Sequence, residues 1–126
     1  MQEIFPGWLV ESHHQGEWLY LILDTTCDEL AHTPINLAEL MDNVVRRSFF
    51  TSVIIDLESI LYLPAKLLRQ FILLKDKLEE RGGQLALCAM NVKAYQSVAA
   101  LGLEHAFPYY EGIDAVTEVF RPVQPR

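Results

Sequence analysis

The chain has 126 residues, 51% of them hydrophobic and 21% charged, with a formal net charge of -7 at pH 7. That length and balance describe one folded domain with a sizeable core and exclude a disordered chain. The acidic balance argues against binding nucleic acid or docking on an anionic membrane, both of which call for clustered cations.

The N-terminal stretch MQEIFPGWLV lacks a basic start and a long apolar core, so no signal peptide is expected, and no apolar run is long enough to span a bilayer. Two cysteines, Cys27 and Cys88, make no disulfide framework. Cys88 sits inside an apolar run as a buried thiol, and the expected compartment is the reducing cytoplasm.

Trp8-Leu9-Val10 and Trp18 to Leu23 are apolar runs separated by a polar connection, Glu11 to Glu17, that contains Gly16. This predicts a β-hairpin whose connection is longer than a tight two-residue turn. Asp24 to Thr33 reads as a polar loop. Thr33-Pro34 predicts a helix start, an oxygen-bearing cap followed by proline at the first helical position. Leu37, Leu40, Met41, Val44 and Val45 form that helix's apolar stripe, and Arg46-Arg47 suits the negative end of its dipole.

Val53-Ile54-Ile55, closed by Asp56, has the composition of a strand covered on both faces. A loop holding Tyr62 and Pro64 follows, then a long amphipathic helix. Leu67, Phe71, Leu74 and Leu78 have helical spacing, and Leu68 and Ile72 widen the stripe. Gly82-Gly83 stops this helix, and Gln84 to Met90 reads as a second buried strand. Strand, helix and strand joined by short connections make a parallel βαβ unit, around which the rest of the chain is organised.

Asn91 predicts the cap of a third helix with Val92, Tyr95, Val98 and Ala99 on its apolar face. Phe107-Pro108-Tyr109-Tyr110 reads as an edge strand, because proline cannot complete a central ladder. Gly112 to Phe120 predicts a last helix, with Ile113, Val116 and Phe120 on one side. The tail, residues 121–126, is Pro-rich and expected to be flexible. The fold class is therefore α/β (α+β): a mixed sheet of about five strands with about four helices, in the order β-β-α-β-α-β-α-β-α, as a single domain over residues 1–120.

Chemical motifs are sparse. There is no Gly-rich phosphate loop and no Ser, Cys and His constellation of recognisable spacing, so neither enzyme nor cofactor is expected. His13-His14 lacks a third ligand and reads as a solvated turn; Cys27, Asp28 and His32 lack the paired cysteines of a zinc site and read as a polar loop. His105 reads as an exposed turn residue. Tyr109-Tyr110 and the two tryptophans read as core and edge packing. Asp56 has the strongest positional claim to a role, because ligands of open α/β sheets favour the carboxyl edge of the strands, although aspartate also forms loops there.

The run Val53-Ile54-Ile55-Asp56-Leu57, then Ile60 to Leu63 and a helix, then Arg81-Gly82-Gly83 with Leu85 and Leu87, resembles the STAS domain. This is the fold of bacterial anti-sigma factor antagonists. The resemblance extends over Leu101-Gly102-Leu103, Phe107-Pro108 and Gly112 to Phe120, roughly from Trp18 to Phe120. It implies a bacterial regulator of transcription and signal transduction that binds an anti-sigma factor, itself a serine kinase, and is released when a serine at the start of the central helix is phosphorylated.

The usual motif there is Asp-Ser-Ser/Thr-Gly-Leu-Gly. The matching positions in this chain read Pro64-Ala65-Lys66-Leu67-Leu68-Arg69, so Ala65 stands at the acceptor position and offers no hydroxyl. The resemblance thus implies a binding protein that the usual phosphorylation does not switch. Its contact residues would include Asp56, Glu58, Tyr62, Pro64, Ala65, Lys66 and Arg69, with Leu67 or Leu68 as an apolar anchor where exposed and at least one of those two in the core. Two other readings are a small-molecule or lipid-sensing module, which predicts a large internal cavity, and a scaffold subunit of a signalling complex. The oligomeric state, dimer included, stays open.

Overall fold

The computed structural model describes residues 2–26, 33–103 and 105–110. Their strands are β1 (Gln2–Phe5), β2 (Trp8–Gln15), β3 (Trp18–Thr25), β4 (Ser52–Asp56), β5 (Gln84–Cys88) and β6 (Tyr109–Tyr110), and their helices are α1 (Leu37–Ser48), α2 (Ala65–Glu80) and α3 (Val92–Ala100). The strands form one mixed sheet in the order β1-β2-β3-β4-β5-β6. β1, β2 and β3 pair antiparallel, whereas β3, β4, β5 and β6 run parallel.

A sheet whose strands follow chain order with right-handed crossovers must place every crossover helix on the same face. Burial agrees. Leu19, Leu21 and Leu23 of β3, Val53 and Ile55 of β4, and Leu85 and Leu87 of β5 share one core with the inward residues of all three helices. The alternate residues, Trp18, Tyr20, Ile54, Ala86 and Cys88, form a second buried cluster on the opposite face. Because β4 and β5 are covered on both faces, they read in sequence as unbroken apolar runs.

Several expectations are corrected. β1 is a strand beyond those predicted, so the described order is β-β-β-α-β-α-β-α-β with six strands and three helices. The predicted last helix, the Pro-rich tail and the Cys27, Asp28 and His32 cluster lie outside the described residues. The hairpin connection is a tight two-residue turn after all: Gln15 pairs with Trp18 across Gly16-Glu17, and Gly16 takes a φ of +63°. His13 and His14 therefore sit on β2 rather than in a turn. His13 contacts Glu11 on the same strand, and His14 lies 4.7 Å from the ring of Phe50.

Helix α1 starts at Leu37, three residues beyond the predicted proline. Asn36 occupies the cap position without a side-chain cap bond. The cap comes instead from another helix. Gln70 of α2 is buried; its Oε1 accepts the Ala38 N–H at 2.9 Å, while its Nε2 donates to the Ile35 carbonyl at 3.0 Å.

The ends of α2 and α3 behave as their glycines require. Gly82 has a φ of +78°, its N–H donates to the Glu79 carbonyl, and the next N–H, on Gly83, donates to the Leu78 carbonyl at 2.8 Å. This is a Schellman closure, and Gly102 repeats it after α3. On α3 the buried residues are Ala94 and Val98, whereas Val92 and Tyr95, predicted for the apolar face, are exposed.

Candidate functional site at the carboxyl edge of the sheet

Parallel strands deliver their carboxyl ends to one edge, and there the segments entering α1, α2 and α3 gather. Asp56, the last residue of β4, is buried, with Cys88 beside it in register on β5. Its Oδ1 accepts the Glu58 N–H at 2.8 Å, an Asx turn that bends the chain out of the sheet. Its Oδ2 accepts a hydrogen bond from the Tyr20 hydroxyl of β3. Burial, and then this bond to Asp56, raises the Tyr20 pKa, so the phenol remains a donor. Burial and the Asp56 charge push the Cys88 thiol up to about 12, which leaves it protonated and unreactive.

The loop beyond, residues 57–64, is pinned at both levels. The Leu57 N–H donates to the Cys88 carbonyl at 3.0 Å, and Ile60 and Leu63 are buried. The Asn91 amide reaches the Ile60 carbonyl at 3.5 Å, while its Oδ1 caps α3 by accepting the Ala94 N–H at 2.7 Å. Ala89, with a φ of +60°, turns the chain from β5 towards that cap. Anchoring Ile60 and Leu63 turns Leu61 and Tyr62 outward; Leu61 is 69% exposed. Apolar groups held out by a fixed backbone lose little freedom on binding.

Pro64 precedes α2 in an extended conformation, and its carbonyl accepts from the N–H groups of Leu67 and Leu68. Proline offers no capping side chain, and the first turn of α2 holds no carboxylate. Ala65, Lys66 and Arg69 are exposed there. Leu67 and Leu68 are both buried in the main core, which removes either as a surface anchor: α2 lies on the sheet with its 67, 71, 74 and 78 stripe inward.

Glu58 and Tyr62 on the loop, and Ala65, Lys66 and Arg69 in the start of α2 that it enters through Pro64, are all exposed. Asp56 is buried and holds the loop rather than facing outward. Two exposed apolar residues are added to the predicted set: Leu61 on the loop, and Ile35, which lines a pocket with Lys66 and Arg69. Ile35 is 93% exposed, and its signal was that it falls outside the stripe of α1. His105 is exposed. Among the described residues, no group of three or more His, Cys, Asp or Glu can hold a metal ion, and no helix is long and apolar enough to cross a membrane.

Replacing Tyr20 with phenylalanine tests the anchor. Losing a hydrogen bond to a buried carboxylate is expected to cost about 1–2 kcal/mol in urea denaturation. Amide exchange at residues 58–63 is expected to speed up by more than the global loss explains. Unchanged exchange in that loop would show that Tyr20 does not hold it.

No family model and no curated protein matches the sequence. Solved structures match the fold. An anti-sigma factor antagonist from Mycobacterium paratuberculosis aligns with a TM-score of 0.68 at 20% identity, over 89% of this chain and 93% of its own. A Thermotoga maritima protein solved by crystallography aligns with a TM-score of 0.67 at 16% identity, over 89% and 94%. An anti-sigma-factor antagonist (STAS) domain protein from Planctomyces limnophilus aligns with a TM-score of 0.65 at 11% identity, over 87% and 96%.

Proposed function

With the STAS fold as its frame, we propose that the protein is a non-enzymatic regulator that binds a protein partner through loop 57–64 and the first turn of α2. The partner class is the anti-sigma factor with serine kinase activity, the class that antagonists of this fold are named for opposing. The observation that carries this reading is the rigid loop, anchored through Asp56, Ile60 and Leu63, that presents Leu61 and Tyr62 beside Lys66 and Arg69. Exposed aromatic and aliphatic groups next to charged ones are the composition of a binding hot spot with a polar rim.

Regulation is expected to differ from the usual scheme. A phosphate at a helix N-terminus is stabilised by the dipole and free N–H groups. Here that position is Ala65, which has no hydroxyl, and the cations Lys66 and Arg69 already supply the turn with charge. The protein is therefore read as a constitutive antagonist or an unswitched scaffold subunit, acting as one domain over residues 1–120 in the cytoplasm.

The test is a tagged pull-down from native lysate, comparing the natural chain with a Lys66→Glu, Arg69→Glu double variant. A kinase-domain regulator should be captured by the first and reduced by about tenfold or more with the second, the effect expected for reversing desolvated interface charges. Incubating the captured regulator with ATP should leave residues 58–69 free of phosphate by mass spectrometry. An unchanged partner set would place the interface elsewhere, and stoichiometric phosphate in that loop would restore the usual switch.

A further inference from the structure

The exposed face of α2 continues past the loop surface. Lys66, Arg69, Leu73 and Lys77 recur every three or four residues and so line one stripe of the helix, about 16 Å long at 1.5 Å per residue. Facing this stripe is the segment that enters α1, with Ile35 projecting from it. Between them runs a groove. Its first part, about 190 Å³, is lined by Thr33, Pro34, Ile35, Lys66, Arg69 and Gln70. Its second part, about 280 Å³, shares Ile35 and Gln70 and reaches Leu73 and Lys77.

The floor of this groove is already satisfied. Gln70 spends its amide on the Ala38 N–H and the Ile35 carbonyl. The same two bonds fix the backbone on either side of Asn36, so Ile35 is a rigid apolar post 93% open to solvent rather than a wandering loop side chain. Among the described residues Lys66, Arg69 and Lys77 make no ion pair, although Lys75, off the stripe, pairs with Glu79. Among the described residues, Glu39 is the one carboxylate lining either part. In a chain of net charge -7, three cations with no ion pair among the described residues, aligned with two exposed apolar side chains, form a local inversion of the surface. Nucleic acid fits poorly, because the centre of the groove is apolar and the surrounding field is negative.

We propose that this groove binds an acidic amphipathic segment of a partner protein. The apolar side chains of that segment cover Ile35 and Leu73, and its carboxylates face Lys66, Arg69 and Lys77, a helix-in-groove arrangement. The inference rests on reading the 57–69 surface as protein-binding and specifies the chemistry of what binds beside it.

The probe is a synthetic helical peptide of glutamates with leucine at every third or fourth position, titrated into the isotope-labelled full chain and followed by amide chemical shifts. Saturable shifts are expected at residues 33–39 and 66–77. Affinity should fall by about tenfold in Ile35→Ser and in Arg69→Glu, and should weaken as salt is raised. Both positions are exposed, so neither change threatens the fold. Equal binding of a peptide with lysine for glutamate, equal binding with serine for leucine, shifts centred elsewhere, or no saturation would each overturn the proposal. So would self-association of the chain, by analytical ultracentrifugation, that Ile35→Ser abolishes, since a second copy would then be the occupant. If the titration fails while a regulator is still captured from lysate through Lys66 and Arg69, the acidic segment is lost and the loop reading survives. Loss of both removes the surface altogether.

Discussion

Replacing Gly83 with alanine is expected to destabilise the protein by about 3 kcal/mol, the upper range for forcing atoms into filled space. A Cβ built on Gly83 would lie 1.8 Å from the backbone oxygen of Thr51 and 2.5 Å from its carbonyl carbon. Backbone cannot swing aside as the end of a side chain can. The chain at Gly83 would have to retreat from Thr51, breaking the bond from the Gln84 N–H to the Thr51 carbonyl and the first rung between β4 and β5, Ser52 with Gln84. Gly82 provides the contrast. An added Cβ there meets nothing within 4 Å, so Gly82→Ala carries only the cost of its φ of +78°, about 1 kcal/mol. Urea denaturation of the two variants separates the mechanisms. Equal losses would show that the close approach of Gly83 to Thr51 adds nothing to the cost.

Removing the carboxylate of Asp42 is the second large effect. Asp42 lies on α1, 3% exposed. Arg81, just past the end of α2, donates to both of its oxygens, from Nη2 to Oδ1 at 2.6 Å and from Nη1 to Oδ2 at 3.3 Å. Arg46 donates from Nε at 2.9 Å. The planar fork clamps the C-terminal end of α2 to the middle of α1 in one geometry. Breaking a buried pair costs about 3–5 kcal/mol when the surviving charge is stranded. Here the arginine side chains are 25% and 61% exposed and can be rehydrated, so Asp42→Ala is expected to cost less, about 2–3 kcal/mol.

The pH dependence follows from the direction of the Asp42 shift. Burial pushes the carboxyl up, but the bonds from Arg81 and Arg46 outweigh it and hold the group below its ordinary value. A carboxylate depressed in the folded state binds fewer protons there than in the unfolded chain. Its contribution is complete above the unfolded pKa of about 3.9 and fades as pH falls through the folded value. Stability of the natural protein should therefore drop below about pH 4 more steeply than that of Asp42→Asn. Parallel acid slopes would exclude Asp42 as the group responsible.

The sequence carried the central architecture because the physics there is local and repeated. The central βαβ unit announces itself through apolar runs of strand length, a stripe of helical period and the glycines that end α2. What it hid was set by tertiary contacts. Thr33-Pro34 satisfies the rule for a helix start, yet α1 begins at Leu37 because Gln70, from a different helix, supplies the cap. β1 has little pattern to read, since only Ile4 of its four residues is partly buried and its pairing with β2 slips between Glu3 and Phe5. On α3 the helix packs through its small residue Ala94, so the larger Val92 and Tyr95 misled. The candidate surface was half legible. Lys66 and Arg69 stood out as cations where the resemblance suggests other residues, but Ile35 and Leu61 are ordinary apolar letters until the fold leaves them outside.

The order of the sheet, strand after strand as the chain runs, also bears on how the molecule can be assembled. Among the described strands, none has to be threaded between two partners that have already joined. Each newly made unit finds its neighbour at the growing rim, so the protein can be built from its N-terminal hairpin outward while it is still being synthesised. The parallel steps close longer loops than the hairpin and set the pace. Until the following unit arrives, the rim exposed at each stage is a bare row of backbone donors and acceptors, the feature that invites pairing with another chain.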